Sequence, residues 1–185
     1  MSFFRMDFHE ENCLFQYLHL RYWSLLRIAM GWVFFWPFLD KTFGLGFSTC
    51  NVDGVATFGC DDAWINGGSP THSFLMNATQ GPFEGVFQSL ANSTVVECLF
   101  MIGLLAIGVA LIGGIGTQIA GYCGSVMLVM LWLAVLPPEQ NPFLDDHLIY
   151  AIICLALANK RCGDTWGFGK LWSTFDVVKK HQILK

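Results

Sequence analysis

Charge is what this sequence has least of. Asp, Glu, Lys and Arg together make up 13% of the residues, and the formal net charge is only −4. The scarcity is concentrated: from Cys98 to Pro138, between Glu97 and Glu139, there is no Asp, Glu, Lys, Arg or His. A soluble domain of this size has no core that would hide such a run. A membrane-spanning helix needs about 20 predominantly apolar residues, so the run reads as two spans. Nothing in the charge balance points to nucleic acid, and no nucleic-acid partner is expected.

Signature motifs are missing as well. There is no C-x-x-C-H, and no His lies at the centre of an apolar segment to ligate iron, so no haem is expected. No G-x-G-x-x-G, phosphate-binding loop, H-E-x-x-H or nucleophile elbow occurs, and no metal site is expected. The N-terminal MSFFRMDFHEENC mixes charges of both signs and lacks a cleavage site after an apolar core, so the chain is expected to be retained whole.

What is present is apolar: 54% of the residues are hydrophobic and 15% aromatic. The economical reading is a single membrane domain over 1–185, an all-α integral membrane protein built as a four-transmembrane-helix bundle. The expected spans are about 23–39, 94–113, 119–136 and 143–158. Gly113-Gly114-Ile115-Gly116 makes the tight turn between the middle two. Lys and Arg set the orientation. Arg5 and Arg21 precede the first span, and Lys160, Arg161, Lys170, Lys179, Lys180 and Lys185 follow the last. The loop 40–93 has Lys41 as its one basic residue, against Asp53, Asp61, Asp62 and Glu84. Both termini are therefore expected in the cytoplasm of a multi-pass cell-membrane protein, with the long loop outside. The Lys residues of 170–180 read as anchors to anionic headgroups.

The outer loop is expected to carry short helices that lie along the membrane surface or dip in between the spans, with Phe74, Leu75, Phe83, Val86, Phe87 and Leu90 as their apolar side. Ser69-Pro70 is a helix start, with Ser as N-cap and Pro in the first turn. Cys50 and Cys60 fall in the oxidising compartment and are expected to form a disulfide; the alternative is a thiol pair that reacts with a sulfur substrate. Cys98, Cys123 and Cys154 lie within spans, and Cys13 and Cys162 on the reducing side. Asn77-Ala-Thr79 and Asn92-Ser-Thr94 match glycosylation acceptors, possible modification sites that chance also produces.

The residues that carry chemistry are the ionisable ones at span edges, where charge is costly. Asp40 and Lys41 close the first span, Glu97 opens the second, and Asp145, Asp146 and His147 open the fourth. All six belong to one leaflet and are candidates for one polar site, with Lys41 the expected partner of Glu97. For Asp145 and Asp146 the alternative is dipole stabilisation behind an Asn141-Pro142 cap. Arg27 lies inside the first span, either snorkelling to headgroups or contacting an anion or a quinone carbonyl. Trp32 and Trp36 belong to an aromatic group that serves as an interfacial belt or as the wall of a flat apolar cofactor. Ala106-x-x-x-Ala110 and Ala120-x-x-x-Gly124 are small-residue faces for helix packing.

Several segments in order carry a resemblance: LLRIAMGWVFFWPFLDK, AWINGGSPT, GPFEGVF, VVECLFMIGLLAIGVALIGG and GDTWGFGKLW. From Ser24 to Trp172 the chain resembles the DoxX/DoxD family. The resemblance implies a four-helix membrane protein, and its best-understood members are subunits of thiosulfate:quinone oxidoreductase. It implies roles for Arg27, Asp40 and Lys41 as the charged residues of the first span and for Glu97 as the acid opening the second. Where many relatives place Arg after the Gly-rich turn, this chain has Thr117-Gln118. The expected function is therefore the membrane subunit of a quinone-linked oxidoreductase, with quinone as cofactor and a partner membrane subunit. Glu97, Asp40 and Lys41 would handle protons or the anion; Arg27, Trp32, Trp36, Asp145, Asp146 and His147 are the candidate substrate- or quinone-binding residues. A non-catalytic scaffold subunit and a small transporter are the alternatives.

Overall fold

The computed structural model describes the backbone of residues 3–138, 141–160 and 162–184, with side chains from Leu18 onward, Gln182 excepted. Glu139, Arg161 and Lys185, and the side chains of Arg5 and Cys13, lie outside the described residues. The chain is mostly helical. A long α1 (Phe3–Phe43) leads into a loop holding a two-residue hairpin, β1 (Asn51–Val52) and β2 (Val55–Ala56), and two short helices, α2 (Pro70–Asn77) and α3 (Glu84–Leu90). Then come α4 (Thr94–Gly113), α5 (Thr117–Ala134) and α6 (Asp146–Ala158), followed by the small α7 (Gly169–Trp172) and α8 (Asp176–Lys180).

Two of these, α4 and α5, are long and apolar enough to cross a membrane; α6 is apolar but shorter. At a rise of 1.5 Å per residue α6 is about 20 Å long. The helices are apolar on their outward faces as well, where Leu99, Ile102 and Val109 of α4, Val126 and Met130 of α5, and Ile149 and Ile152 of α6 are exposed.

Capping chemistry sets the boundaries. Ser93 Oγ accepts from Val96 N and starts α4 at Thr94, where the sequence places it. Gly114 (φ 70°) ends α4 and Gly116 (φ 57°) precedes α5, both in the left-handed region that glycine enters without cost. This turn starts α5 two residues before the expected span. Ser69 caps α2 as expected, accepting from His72 N. The cap of α6 differs: Asp145 Oδ1 accepts from Leu148 N at 3.0 Å, so the helix begins at Asp146. Asn141 instead receives Phe143 N and Leu144 N in a turn outside the helix.

In the packing, α1 lies along α4 and α5 along α6, with α4 against α5. One core of Met30, Phe34, Leu104, Ile107, Leu111, Leu128, Cys154 and Leu157 draws on all four. Small residues bring the backbones together. A Cβ on Gly31 would stand 2.8 Å from Ile112 N, and one on Gly108 2.9 Å from Phe35 N. Gly121 meets Cys154 O in the same way at 2.6 Å. Ala120 and Gly124 are buried as expected, but Ala106 faces outward; Gly108 does the work assigned to it.

One end of the bundle is pinned by Arg27, whose side chain is fully buried (0% exposed). Nη1 donates to Leu111 O and Ile112 O at the C-terminal end of α4; Nη2 donates to Thr165 O (3.3 Å) and Trp166 O (2.9 Å). Ser24 Oγ adds a bond to Cys162 O at 3.1 Å, and Phe168 N donates to Gly113 O at 2.8 Å. Arg27 thus neither snorkels nor faces an open cavity. Its charge is balanced by the negative end of a helix dipole and by carbonyls.

Replacing Arg27 by Ala strands four carbonyls, each left unsatisfied at about 1–3 kcal/mol. We expect a loss of ~3 kcal/mol or more, read as a lower thermal midpoint in detergent. Arg27→Lys will recover less than half of it, because an ammonium does not fork as a guanidinium does; an unchanged midpoint for either variant contradicts this role. The Cys50–Cys60 disulfide is formed, with Cα atoms 5.6 Å apart. Its removal by the double Ala substitution is expected to cost about 2–3 kcal/mol through the freed loop, measured by the same unfolding assay.

Candidate functional site

At the other end of the bundle, α1, α2, α4, α5 and α6 converge on a cavity of about 220 Å³. Most of its wall is apolar: Val33, Phe34 and Pro37 from α1, Phe74 from α2, Phe100 and Leu104 from α4, and Leu128 and Leu131 from α5. Its polar groups are Lys41, Asp146, His147 and Tyr150. Helical spacing puts them there. Val33, Pro37 and Lys41 are four apart on α1, and Asp146, His147 and Tyr150 share one face of the first turns of α6.

Asp145 organises the α6 side. One oxygen caps the helix, and the other lies 2.7 Å from His147 Nδ1. Asp146 Oδ1 is 3.5 Å from the same nitrogen. With Nδ1–H given to the carboxylate, Nε2 is the nitrogen free to accept or deliver a proton. The ligand atoms of Asp145, Asp146 and His147 lie within 4.8 Å of one another, a set a divalent cation accepts. Asp145 already uses both oxygens on Leu148 and His147, which accounts for the cluster without an ion.

On the α1 side, Lys41 Nζ donates to Ser48 Oγ at 3.2 Å. Burial pulls its ammonium below the ordinary lysine range, and the neighbouring Asp40 charge opposes this only in part. It surrenders a proton more readily than a surface lysine. No ion pair to Glu97 exists among the described residues. Glu97 Oε1 is buried without a hydrogen-bond partner, a turn ahead of the inward-facing Met101.

Asp40 turns away from the cavity. It is 1% exposed and accepts from Phe47 N (3.1 Å), Ser48 N (2.9 Å), Ser48 Oγ (2.7 Å) and Thr49 N (3.0 Å). Burial alone would raise its pKa; these bonds outweigh burial and hold the carboxyl below the usual aspartate value. Asp40 is therefore the clamp of the loop entering the disulfide, not a group free to handle protons or an anion. Arg27 lies at the opposite end of the bundle. Trp32 is 51% exposed and stacks on Trp36 at 5.8 Å, which meets Phe47 edge-on at 5.1 Å. That aromatic strip runs outside α1 and does not border the cavity; Phe34, Phe74 and Phe100 do.

Of the six charged residues expected at one end, Lys41, Asp146 and His147 share the cavity wall and Asp145 orients one of them. Tyr150 and Phe100 were not anticipated; Phe34 belongs to the first-span aromatic group expected as a belt or a cofactor wall, and Phe74 to the apolar side of the outer loop. Tyr150 was legible three residues after His147, whereas nothing local separates Phe74 from the other apolar residues of its segment. Asn77 is exposed with its amide bonded to Ser73 O, while Thr79 of the same triplet is buried on Leu75 O. Asn92 is exposed beside the cap of α4.

Fold and site together define a mostly helical protein, with two helices among the described residues long and apolar enough to cross a membrane and an amphipathic cavity at one end. Compared with family models, curated proteins and solved structures, the chain matches none.

The Asp40 clamp has a pH signature. A carboxyl held below its unfolded value contributes stability that is complete above the unfolded pKa, about 3.9, and is lost as pH falls through the lower folded value. Asp40→Asn is expected to lower the thermal midpoint at pH 7 and to flatten its fall between about pH 4 and 2. Parallel pH curves for the two proteins contradict the clamp.

Proposed function

We propose that this chain is the membrane subunit of a quinone-linked oxidoreductase, with residues 23–39 of α1 and the helices α4, α5 and α6 as its four spans. Both termini lie in the cytoplasm, and the loop with its disulfide lies outside the cell membrane. The apolar outward faces of the helices and the disulfide on the opposite side from the C-terminal lysines support this topology. The observation that carries the functional reading is the cavity itself: a largely apolar, ring-lined space into which Lys41, His147 and Tyr150 bring a few polar groups. Flat amphipathic cofactors are held in such sites. At about 220 Å³ it lies below the ~300–1,000 Å³ of whole-ligand pockets, which suits a ring head group.

A quinone bound there supplies a two-electron, two-proton acceptor. Lys41 and Tyr150 are the donors that would hold ring oxygens. His147, fixed through Nδ1 by Asp145, passes protons at Nε2, and the lowered pKa of Lys41 makes it a second proton source. The resemblance to the DoxX/DoxD family points to thiosulfate as the electron donor, two thiosulfates giving one tetrathionate and two electrons. Asp53, Asp61, Asp62 and Glu84 oppose a dianion at long range, so a partner subunit completes the donor site. A second reading, a scaffold subunit of a larger complex, is favoured by the apolar groove on the outer side of α4 and α5, where Gly103, Ala106 and Ala110 leave room for a partner helix.

The purified full chain is expected to bind a soluble ubiquinone or menaquinone analogue saturably. With its partner it should reduce that analogue using thiosulfate. His147→Gln and Lys41→Met are each expected to lower the rate by about 10²-fold, the scale of one proton-transfer group, without lowering the thermal midpoint. Absence of saturable quinone binding sinks the proposal.

A further inference from the structure

The cavity shares wall residues with two neighbouring spaces. It shares Phe74, Phe100 and Leu131 with a second pocket of about 150 Å³, whose lining is apolar apart from the buried Thr71. That second pocket lies between α3 and α5 and has Leu90 (37% exposed) and Met130 (46% exposed) among its walls, so it opens on the outward apolar face. The cavity also shares Lys41 and Phe74 with a polar chamber of about 420 Å³ in the loop, bordered by Ser48, Asn51, Asp62 and Asn77. Phe74 borders all three spaces. Their linings grade from polar through mixed to apolar.

We infer that the apolar pocket is the port through which the isoprenoid tail of a lipid-soluble quinone leaves the cavity for the bilayer. This rests on the quinone reading above and adds to it a subsite and the class of chain that fills it. A cavity of 220 Å³ has room for a head group and no room for a long tail. The polar chamber would strand a hydrocarbon tail in water. The apolar neighbour is walled by Phe74, Phe87, Phe100, Met127 and Met130, rings and flexible thioethers that can swing aside and mould to an irregular chain. The head then lies against Lys41 and His147, on the side facing the aqueous chamber, and the tail lies in lipid.

The test compares a tailless dimethoxy-methyl-benzoquinone with its decyl-tailed analogue, both titrated onto the detergent-purified full chain. The decyl compound is expected to bind at least tenfold more tightly. Leu90→Trp and Met130→Trp fill the rim of the port and should each abolish that advantage, while tailless binding stays within twofold. Val126→Trp, on the outward face of α5 and absent from the port lining, should keep it. A tail advantage that survives both rim variants overturns the port while leaving the quinone reading intact, as does the absence of any advantage. Failure of both compounds to bind overturns the quinone reading and the port with it.

Discussion

Everything at the closed end of this molecule hangs on one buried guanidinium. Arg27 is wholly enclosed, and it satisfies the carbonyls of Leu111 and Ile112 at the end of α4 together with those of Thr165 and Trp166 in the segment after α6. Helix C-termini always leave carbonyls without partners; here one cation from a neighbouring helix takes two of them and ties in a distant stretch of chain. The glycines around it follow from this. A Cβ on Gly114 or Gly167 would come within 3.0 Å of the Arg27 guanidinium nitrogens. The charge tolerates burial because a helix dipole and four carbonyls replace its water.

The opposite end mirrors this arrangement with the sign reversed. Asp40, also buried, collects the amides of Phe47, Ser48 and Thr49 and the Ser48 hydroxyl. It thereby holds the loop just before Cys50, whose disulfide to Cys60 closes the next ten residues. The loop is tied again where Gln80 N donates to Ala134 O at 3.0 Å, at the end of α5. Two charges of α1 are thus committed to architecture. The clamp takes Asp40 out of the chemistry and leaves Lys41, one residue on, facing the cavity; this is why two adjacent charged residues have different fates.

The path of the helices was readable from residue pattern because its causes are local. A run without charge, a serine before Thr94, a proline after Ser69 and glycines at 114 and 116 each act within one turn of chain, and α4 lies where hydropathy places it. The α6 start was misplaced by a few residues because Asn141 and Asp145 are both capable caps. Asp145 wins since its carboxylate also receives His147. The candidate site was half legible. The charges near span ends were visible, and Lys41, Asp146 and His147 do meet; but the pairing of Lys41 with Glu97 was wrong, since Ser48 supplies the acceptor within reach.

By itself the sequence determined the α4–α5 hairpin with its caps and glycine turn, and a charged end separated from an uncharged middle, because hydrophobic period and capping act along the chain; it did not show that the first helix runs over Phe3–Phe43 rather than 23–39. Only the tertiary structure decided which charges are spent and which are free. Arg27 and Asp40 read as functional residues until the carbonyls and amides that satisfy them, up to 139 positions away, come into contact. The cavity, too, exists only in three dimensions. Its walls come from five helices, and Phe74, which borders this cavity and its two neighbours, is brought to the bundle by a loop whose position depends on long-range packing.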